Sequence, residues 1–295
     1  SLKKERVELN KLIKNKDLRW KTISEEIKEI KKAFGGKEVG LKRRTAIGEA
    51  PPVIDVPVEA MIEKEPVTII CSDKGWIKAA KGHLETTSGV KYKVGDRRKF
   101  VMHAETTDKI LLFATNGRFY TIPCDRLPSG RGFGEPVRLM IDLGNEHDIV
   151  YLTLFKPEEK MLIASSAGRG FIVKSDDVMA QTKSGKQVLN VKDEDEATAC
   201  CKVEGDFVAV IGDNRKLLLF PLDELPEMNR GRGVILQRYK DGGLADVKTF
   251  TFAEGLSWKT GDRTRTETDL LAWQGKRSQA GRLPPKGFAK ANRFS

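Results

Sequence analysis

Side chains able to do covalent chemistry are sparse in this chain and do not gather. His83, His103 and His147 stand apart from one another and from any Ser or Cys motif, so no base is paired with a nucleophile. Cys71, Cys124, Cys200 and Cys201 sit in or beside strand-like runs without a Cys-x-x-Cys spacing. They read as buried free thiols of a reducing compartment, not as zinc ligands or disulfides. Gly185-Lys186-Gln187 lacks the upstream glycine and the following Ser/Thr of a phosphate-binding loop. Gly130-Arg131-Gly132-Phe133-Gly134 misses the dinucleotide spacing, and no helix pattern follows it. Asp193-Glu194-Asp195-Glu196 reads as a solvated turn and not as a magnesium site. The chain is expected to hold no catalytic residue, metal or cofactor of its own.

What does recur is Gly beside Arg or Lys. The loops Gly130-Arg131-Gly132, Ser184-Gly185-Lys186, Arg230-Gly231-Arg232-Gly233 and Gly275-Lys276-Arg277 share this chemistry. Glycine lets a backbone come close to a phosphate, and the planar guanidinium grips phosphate with two donors. The candidate DNA contacts are Arg97, Arg98 and Lys99, then Arg118, Arg131 and Arg138, then Arg169, Lys174, Lys183 and Lys186. Arg215, Lys216, Arg230, Arg232 and Arg238 follow, and finally Arg263, Arg265, Lys276, Arg277, Arg282 and Lys286.

The elements that would carry these loops form a repeat. Apolar runs meet Gly or Asn turns at Asp73-Lys74-Gly75, Asn116-Gly117-Arg118, Ala167-Gly168-Arg169, Asp213-Asn214-Arg215 and Thr260-Gly261-Asp262. The turns step by 42, 51, 46 and 47 residues. A second track, Leu84, Leu127, Val178, Leu225 and Leu271, keeps the same phase. Short strands with tight turns at a period in the forties read as propeller blades. The expected fold is all-β and five-bladed, one blade per turn.

The formal charge of +11 is unevenly spread. Residues 1–50 carry 15 basic and 8 acidic side chains and residues 251–295 carry 9 and 4, leaving the middle nearly neutral. A nucleic-acid footprint on the blades must then come from local clustering and not from bulk charge. No apolar stretch is long enough to span a bilayer and no secretory leader stands at Ser1, which points to the cytoplasm.

The first residues follow another rule. Leu2, Leu9, Leu12, Ile13, Trp20, Ile23, Ile27, Ile30 and Phe34 recur at helical spacing and leave one narrow apolar seam. That is one partner of a coiled coil, with a soft spot at Asn15-Lys16-Asp17 and a stop at Gly35-Gly36. A seam this narrow calls for a second helix, so the chain reads as a piece of a larger protein. The expected organisation is a helix over 1–34, a linker over 35–57 and the blades over 58–295.

In this order the pieces resemble the carboxy-terminal part of the A subunit of bacterial type IIA DNA topoisomerases. Phe34-Gly35-Gly36 followed by Arg43-Arg44-Thr45-Ala46-Ile47 resembles the end of that family's long coiled coil and its linker. The repeats resemble its β-pinwheel, a propeller variant whose blades exchange strands and whose rim bends DNA. The gyrase branch carries a Gln-Arg-Arg-Gly-Gly-Lys-Gly type box. Gln237-Arg238-Tyr239-Lys240-Asp241-Gly242-Gly243 and Gln274-Gly275-Lys276-Arg277 do not match it, so the topoisomerase IV branch fits better.

The resemblance implies a non-catalytic domain that binds and bends duplex DNA and presents it to a strand-passage core for decatenation and relaxation. The family's cleavage Tyr follows an Arg in another part of the protein. Here only Tyr239 follows an Arg, and it reads as a strand aromatic. ATP and magnesium would act through other domains. The implied partners are double-stranded DNA, the topoisomerase IV B subunit in a heterotetramer and chromosome-organising proteins. The implied location is the nucleoid, with peripheral membrane association as a further option. Two alternatives stay open: a gyrase A wrapping domain, and a propeller scaffold that binds a protein.

Overall fold

A computed structural model of the chain describes residues 2–35, 62–192, 194–261 and 263–294. The linker expected over 35–57 lies, from Gly36 onward, outside the described residues, as do Asp193 and Asp262. Two compact units are present, Ser1–Val56 and Pro57–Ser295.

In the first unit the expected single helix is two, α1 (Leu2–Lys14) and α2 (Lys16–Phe34). Asn15 breaks it because its side chain offers the backbone a better partner than the helix does. Its Oδ1 accepts from the N–H groups of Asp17 at 3.0 Å and Leu18 at 3.2 Å. Neither helix buries a residue, and the seam residues Ile13, Trp20, Ile27, Ile30 and Phe34 are exposed.

The second unit is built from hairpins, each an apolar run interrupted by a residue that takes a left-handed backbone. They are β1 (Pro66–Ser72) with β2 (Trp76–Lys81) and β4 (Lys109–Ala114) with β5 (Arg118–Pro123). Next come β8 (Lys160–Ser165) with β9 (Arg169–Lys174) and β12 (Phe207–Gly212) with β13 (Leu217–Pro221). Gly75, Gly117 and Gly168 hold the turns at φ +76°, +73° and +73°, and Arg215 fills the fourth at +60°. Each donates its N–H to the carbonyl three residues back, at 2.9–3.0 Å.

One long strand flanks each hairpin: β3 (Arg98–Glu105), β7 (Ile149–Leu154), β11 (Ala197–Lys202) and β15 (Leu244–Phe250). The fourth strand of a sheet comes from the following repeat. The sheets run β3-β1-β2-β6, β10-β5-β4-β7 and β11-β8-β9-β14, where β6 is Glu135–Pro136, β10 is Lys186–Gln187 and β14 is Val234–Ile235. The fourth sheet, β13-β12-β15, receives bridges from Gln274 and Arg282 instead. The fifth repeat supplies a two-stranded hairpin, β16 (Leu256–Thr260) with β17 (Arg263–Glu267). Five hairpins are therefore present among the described residues, and four of them lie in sheets of three strands or more.

Packing explains why the strands read as unbroken apolar runs. Alternate residues of one strand serve two cores. Ile110 and Leu112 of β4 pack with Ile69 and Cys71 of β1, while Leu111 and Phe113 pack with Met161 and Ile163 of β8. Leu162 and Ala164 pack with Val208 and Val210, and Ala209 and Ile211 join Leu256, Trp258, Phe288 and Phe294. A strand buried on both faces loses the polar alternation that would mark a half-exposed sheet. One residue of the second track shifts. Leu270 is the buried member at 1% exposure, and Leu271 is 73% exposed.

Strand exchange depends on glycine. Gly134, Gly185, Gly233 and Gly281 adopt φ of +82°, +69°, +72° and +76°. A Cβ there would lie 2.3, 2.8, 2.4 and 2.5 Å from the carbonyl oxygens of Ile77, Phe119, Gly170 and Leu217. These glycines bring the incoming segment against the carbonyls of the preceding blade. Gly132 has φ +66° with nothing within 4 Å of its Cβ position. Gly132→Ala should then cost only backbone strain, roughly 1–3 kcal/mol. Gly233→Ala adds the clash and should cost about 1–3 kcal/mol more, read as a larger drop in denaturation midpoint. Equal losses at the two positions would show that Gly233 is not a close-approach residue.

Candidate nucleic-acid interface

Neighbouring sheets meet through β3 and β7, β7 and β11, and β11 and β15. These strands line the inside of the wheel, so the exchanged segments lie at the outer edge of each sheet. The loops leading into them hold Arg131, Lys183, Arg230, Arg232, Lys276 and Arg277 of the cations that the sequence singles out. The structure divides those cations into two sets.

One set staples the fold. Arg118 Nη1 donates to the carbonyls of Ser184 at 2.8 Å and Gly185 at 3.5 Å, and Arg169 Nη1 donates to that of Gly233 at 3.3 Å. Arg277 reaches the carbonyl of Ile235 at 2.7 Å. Arg138 binds the carbonyls of Gly144 and His147 and lies 3.6 Å from Asp148. Lys99 donates to the Ile149 carbonyl at 2.8 Å with Asp73 at 3.7 Å. Lys174 sits between Glu158 at 3.1 Å and Glu227 at 3.8 Å, and bonding to Glu158 raises its pKa. Arg215 holds the carboxy-terminal segment through the carbonyls of Ala289 and Lys290 and through Asn292 Oδ1. Arg97 pairs with Asp73 at 3.2 Å, and Arg98 donates to Thr87 Oγ1 at 2.5 Å.

The other set faces solvent. Arg131, Lys183, Lys186, Arg232, Arg238, Arg263, Lys276, Arg282 and Lys286 are exposed and have no side-chain partner among the described residues. Arg230 touches only Asn190 Oδ1, at 3.4 Å, and Arg265 lies over Gly287. Lys216 is half-buried without a partner. Each of the four exchanged loops thus presents at least one unpaired cation: Arg131, Lys183 with Lys186, Arg232, and Lys276 with Arg282. Of the rest, Arg238 precedes Tyr239, Arg263 lies on β17 and Lys286 belongs to the carboxy-terminal segment.

His83 and His103, expected to stand apart, are brought together by the fold and stack with ring centroids 4.6 Å apart. Among the described residues no group of His, Cys, Asp and Glu could hold a metal ion. Burial pushes Cys71, Cys124 and Cys201 up to about 12 and Cys200 above its usual value, which keeps them as unreactive thiols. Asp195, in the acidic run, accepts from Ser166 Oγ at 2.8 Å and the Ala167 N–H at 2.9 Å and so caps a hairpin turn. Burial raises the Tyr239 hydroxyl well above its usual range.

A family model described as the DNA gyrase C-terminal domain, beta-propeller, matches residues 108–156, 159–200 and 206–245. The A subunit of DNA topoisomerase 4 from Rickettsia bellii is 45% identical over 298 residues, covering 100% of this chain and 40% of that protein. The protein of the same name from Caulobacter vibrioides is 46% identical over 93% of the chain and 37% of its own length. The solved C-terminal domain of Escherichia coli ParC superposes with a TM-score of 0.66 and 27% identity, over 77% of this chain and 96% of that one. The chain belongs to the type IIA topoisomerase A-subunit family, in its carboxy-terminal part. It spans about 40% of the length of the curated relatives it matches. The stretch at Gln237, which does not match the gyrase box, is a structural element in this domain. Gln237 is buried, and its Nε2 donates to the carbonyls of Lys216 at 2.9 Å and Ala280 at 2.7 Å.

Sequence reading missed the inside of the wheel. A cavity of about 490 Å³ is lined there by Tyr151, Cys200, Cys201, Asp246, Lys248 and the terminal Phe294, among others. Burial lowers the Lys248 pKa, and its Nζ donates to the Ser257 carbonyl at 2.6 Å. Burial raises the Asp246 pKa against the opposing pull of the Phe294 N–H, which it accepts at 2.8 Å. No periodic pattern marks these positions, since they alternate with core residues on strands already assigned to the repeat.

Two outcomes follow from this division. Arg118→Ala removes the staple on the Gly185 loop and should lower stability by about 1–2 kcal/mol, while Arg232→Ala should stay within about 0.5 kcal/mol of the parent, both by urea denaturation. The reverse ranking would contradict the two sets. Asp246, with its raised pKa, favours the folded state when protonated, and that advantage is lost as pH rises through its folded pKa. Asp246→Asn should therefore raise the melting temperature at pH 7, with the gain disappearing as pH falls below the unfolded carboxylate range. A loss at pH 7 would mean that the charge itself holds the terminal segment.

Proposed function

We propose that this domain binds duplex DNA along the outer edges of its blades, bends it and presents it to the strand-passage core of a type IIA topoisomerase. The observation that carries the reading is the placement of unpaired cations on all four exchanged loops. Each blade offers at least one contact, at the same edge of its sheet. DNA phosphates are evenly spaced and sequence-independent, so a repeated cation on a curved edge selects a bent duplex and not a base sequence. Bending a short site costs on the order of 1–6 kcal/mol, which asks several loops to act together. The nearly neutral middle of the chain favours bending one segment over a full wrap. The mismatch to the gyrase box favours decatenation and relaxation over supercoil introduction.

The domain has no ATP- or DNA-cleaving machinery in this reading. Those steps, with ATP and magnesium, belong to the rest of an A subunit working with its B subunit, and the whole enzyme acts at the nucleoid. Affinity for two unrelated duplexes should fall with salt alike, with a log–log slope of roughly −4 to −6 for about one phosphate contact per blade. Replacing Arg230 and Arg232 together by Ala should weaken both duplexes about equally and flatten the slope by about one to two units. A salt-insensitive affinity, or loss of one sequence only, would shift the assignment to a protein-binding scaffold. ATP turnover by the purified domain would contradict its non-catalytic role.

A further inference from the structure

The blades supply an internal comparison that isolates one irregular place. Ala79, Thr121, Ile172 and Leu219 are equivalent, each four residues past its left-handed turn position. In three blades the outward N–H of this residue is taken by the next repeat. Ala79 donates to the Pro128 carbonyl at 2.9 Å, Ile172 to Pro226 at 3.0 Å and Leu219 to Trp273 at 2.9 Å. Parallel bridges to Ser129, Glu227 and Gln274 complete the edge.

The second blade breaks the pattern. Its incoming segment is caught by a side chain, because Thr121 Oγ1 accepts the Ala180 N–H at 2.9 Å. The shared register points the Thr121 N–H to the same outer edge, and among the described residues no acceptor takes it. A cavity of about 630 Å³ opens there, within the range of peptide and ligand sites. Ile122, Met140 and Met179 form apolar walls, and Leu139 stands at its mouth 66% exposed. Arg126 and Lys183 flank it, both exposed and without an acidic partner among the described residues.

We propose that this gap is a docking site for an extended acidic-apolar segment of a protein partner. A strand edge with a free N–H adds a main-chain hydrogen bond to such a segment. The methionine walls adapt to aliphatic side chains, and the two cations select carboxylates beside them. A bare phosphate backbone would use the cations but leave the apolar walls and Leu139 unmatched, which favours a peptide over DNA.

The test titrates the whole chain with an amidated Glu-Leu-Asp-Leu-Glu-Leu peptide and with its Glu-Ser-Asp-Ser-Glu-Ser counterpart, followed by amide NMR. The leucine peptide should shift the Thr121 and Ala180 amides and bind roughly ten-fold tighter than the serine peptide. Leu139→Ser, at a solvent-facing position that leaves the fold intact, should weaken it about five-fold without changing affinity for duplex DNA. Arg126→Glu should weaken both peptides. Equal binding of the two peptides, or indifference to Leu139→Ser, would reduce the site to surface charge and overturn the proposal. So would a duplex that shifts the same amides and displaces the leucine peptide, since the gap would then belong to the DNA path.

Discussion

The contact on which the rest of this domain depends is a glycine in a left-handed backbone pressed against a carbonyl of the preceding blade. Gly134, Gly185, Gly233 and Gly281 repeat it at four blade boundaries. No other residue type meets both demands, because any Cβ would clash and the backbone would be strained. The exchanged segment then inserts buried apolar residues into the neighbouring core: Val137, Leu189 and Leu236 are each fully inaccessible. Each sheet is thereby tied to the next one, and the loop before the glycine is left at the outer edge.

That arrangement sets where charge can act. A guanidinium close to an exchanged loop has backbone carbonyls within reach, and Arg118 and Arg169 use them. Cations at the loop tips have none and stay in water. Lys78 shows the extreme of the first case. It is buried in the first blade, bonded to the Gly132 carbonyl at 2.7 Å, and its pKa is lowered by burial. A net charge near zero over residues 51–250 is therefore compatible with a basic edge, since the carboxylates are largely committed elsewhere. Asp96 and Asp195 cap hairpin turns, and Glu159 and Glu227 pair with lysines.

The repeat was legible because each turn leaves a one-residue mark and each strand is apolar throughout. Gly75, Gly117 and Gly168 announce their turns, and even Arg215 follows an Asn that prepares its own. The basic-Gly loops were equally legible as a pattern, but their division of labour was not. Arg118 and Arg232 look alike in sequence, and only the path of the exchanged segment separates a staple from a free cation. Strand exchange itself leaves no local signal, since β6, β10 and β14 are two residues long. The break at Asn15 was a matter of one side chain's bonding, and the choice of Leu270 over Leu271 a shift of one position. The axial cavity was invisible because its residues share strands with the core.

The central claim is that cations on successive exchanged loops make one curved track for DNA. Energy transfer between dyes at the two ends of a duplex of about 30 base pairs reads that curvature directly. The ends should draw closer on binding, and neutralising Arg131, then Lys186, then Arg232, should relax the duplex stepwise. A duplex that stays straight when bound, or a bend that survives removal of these cations, would contradict the account.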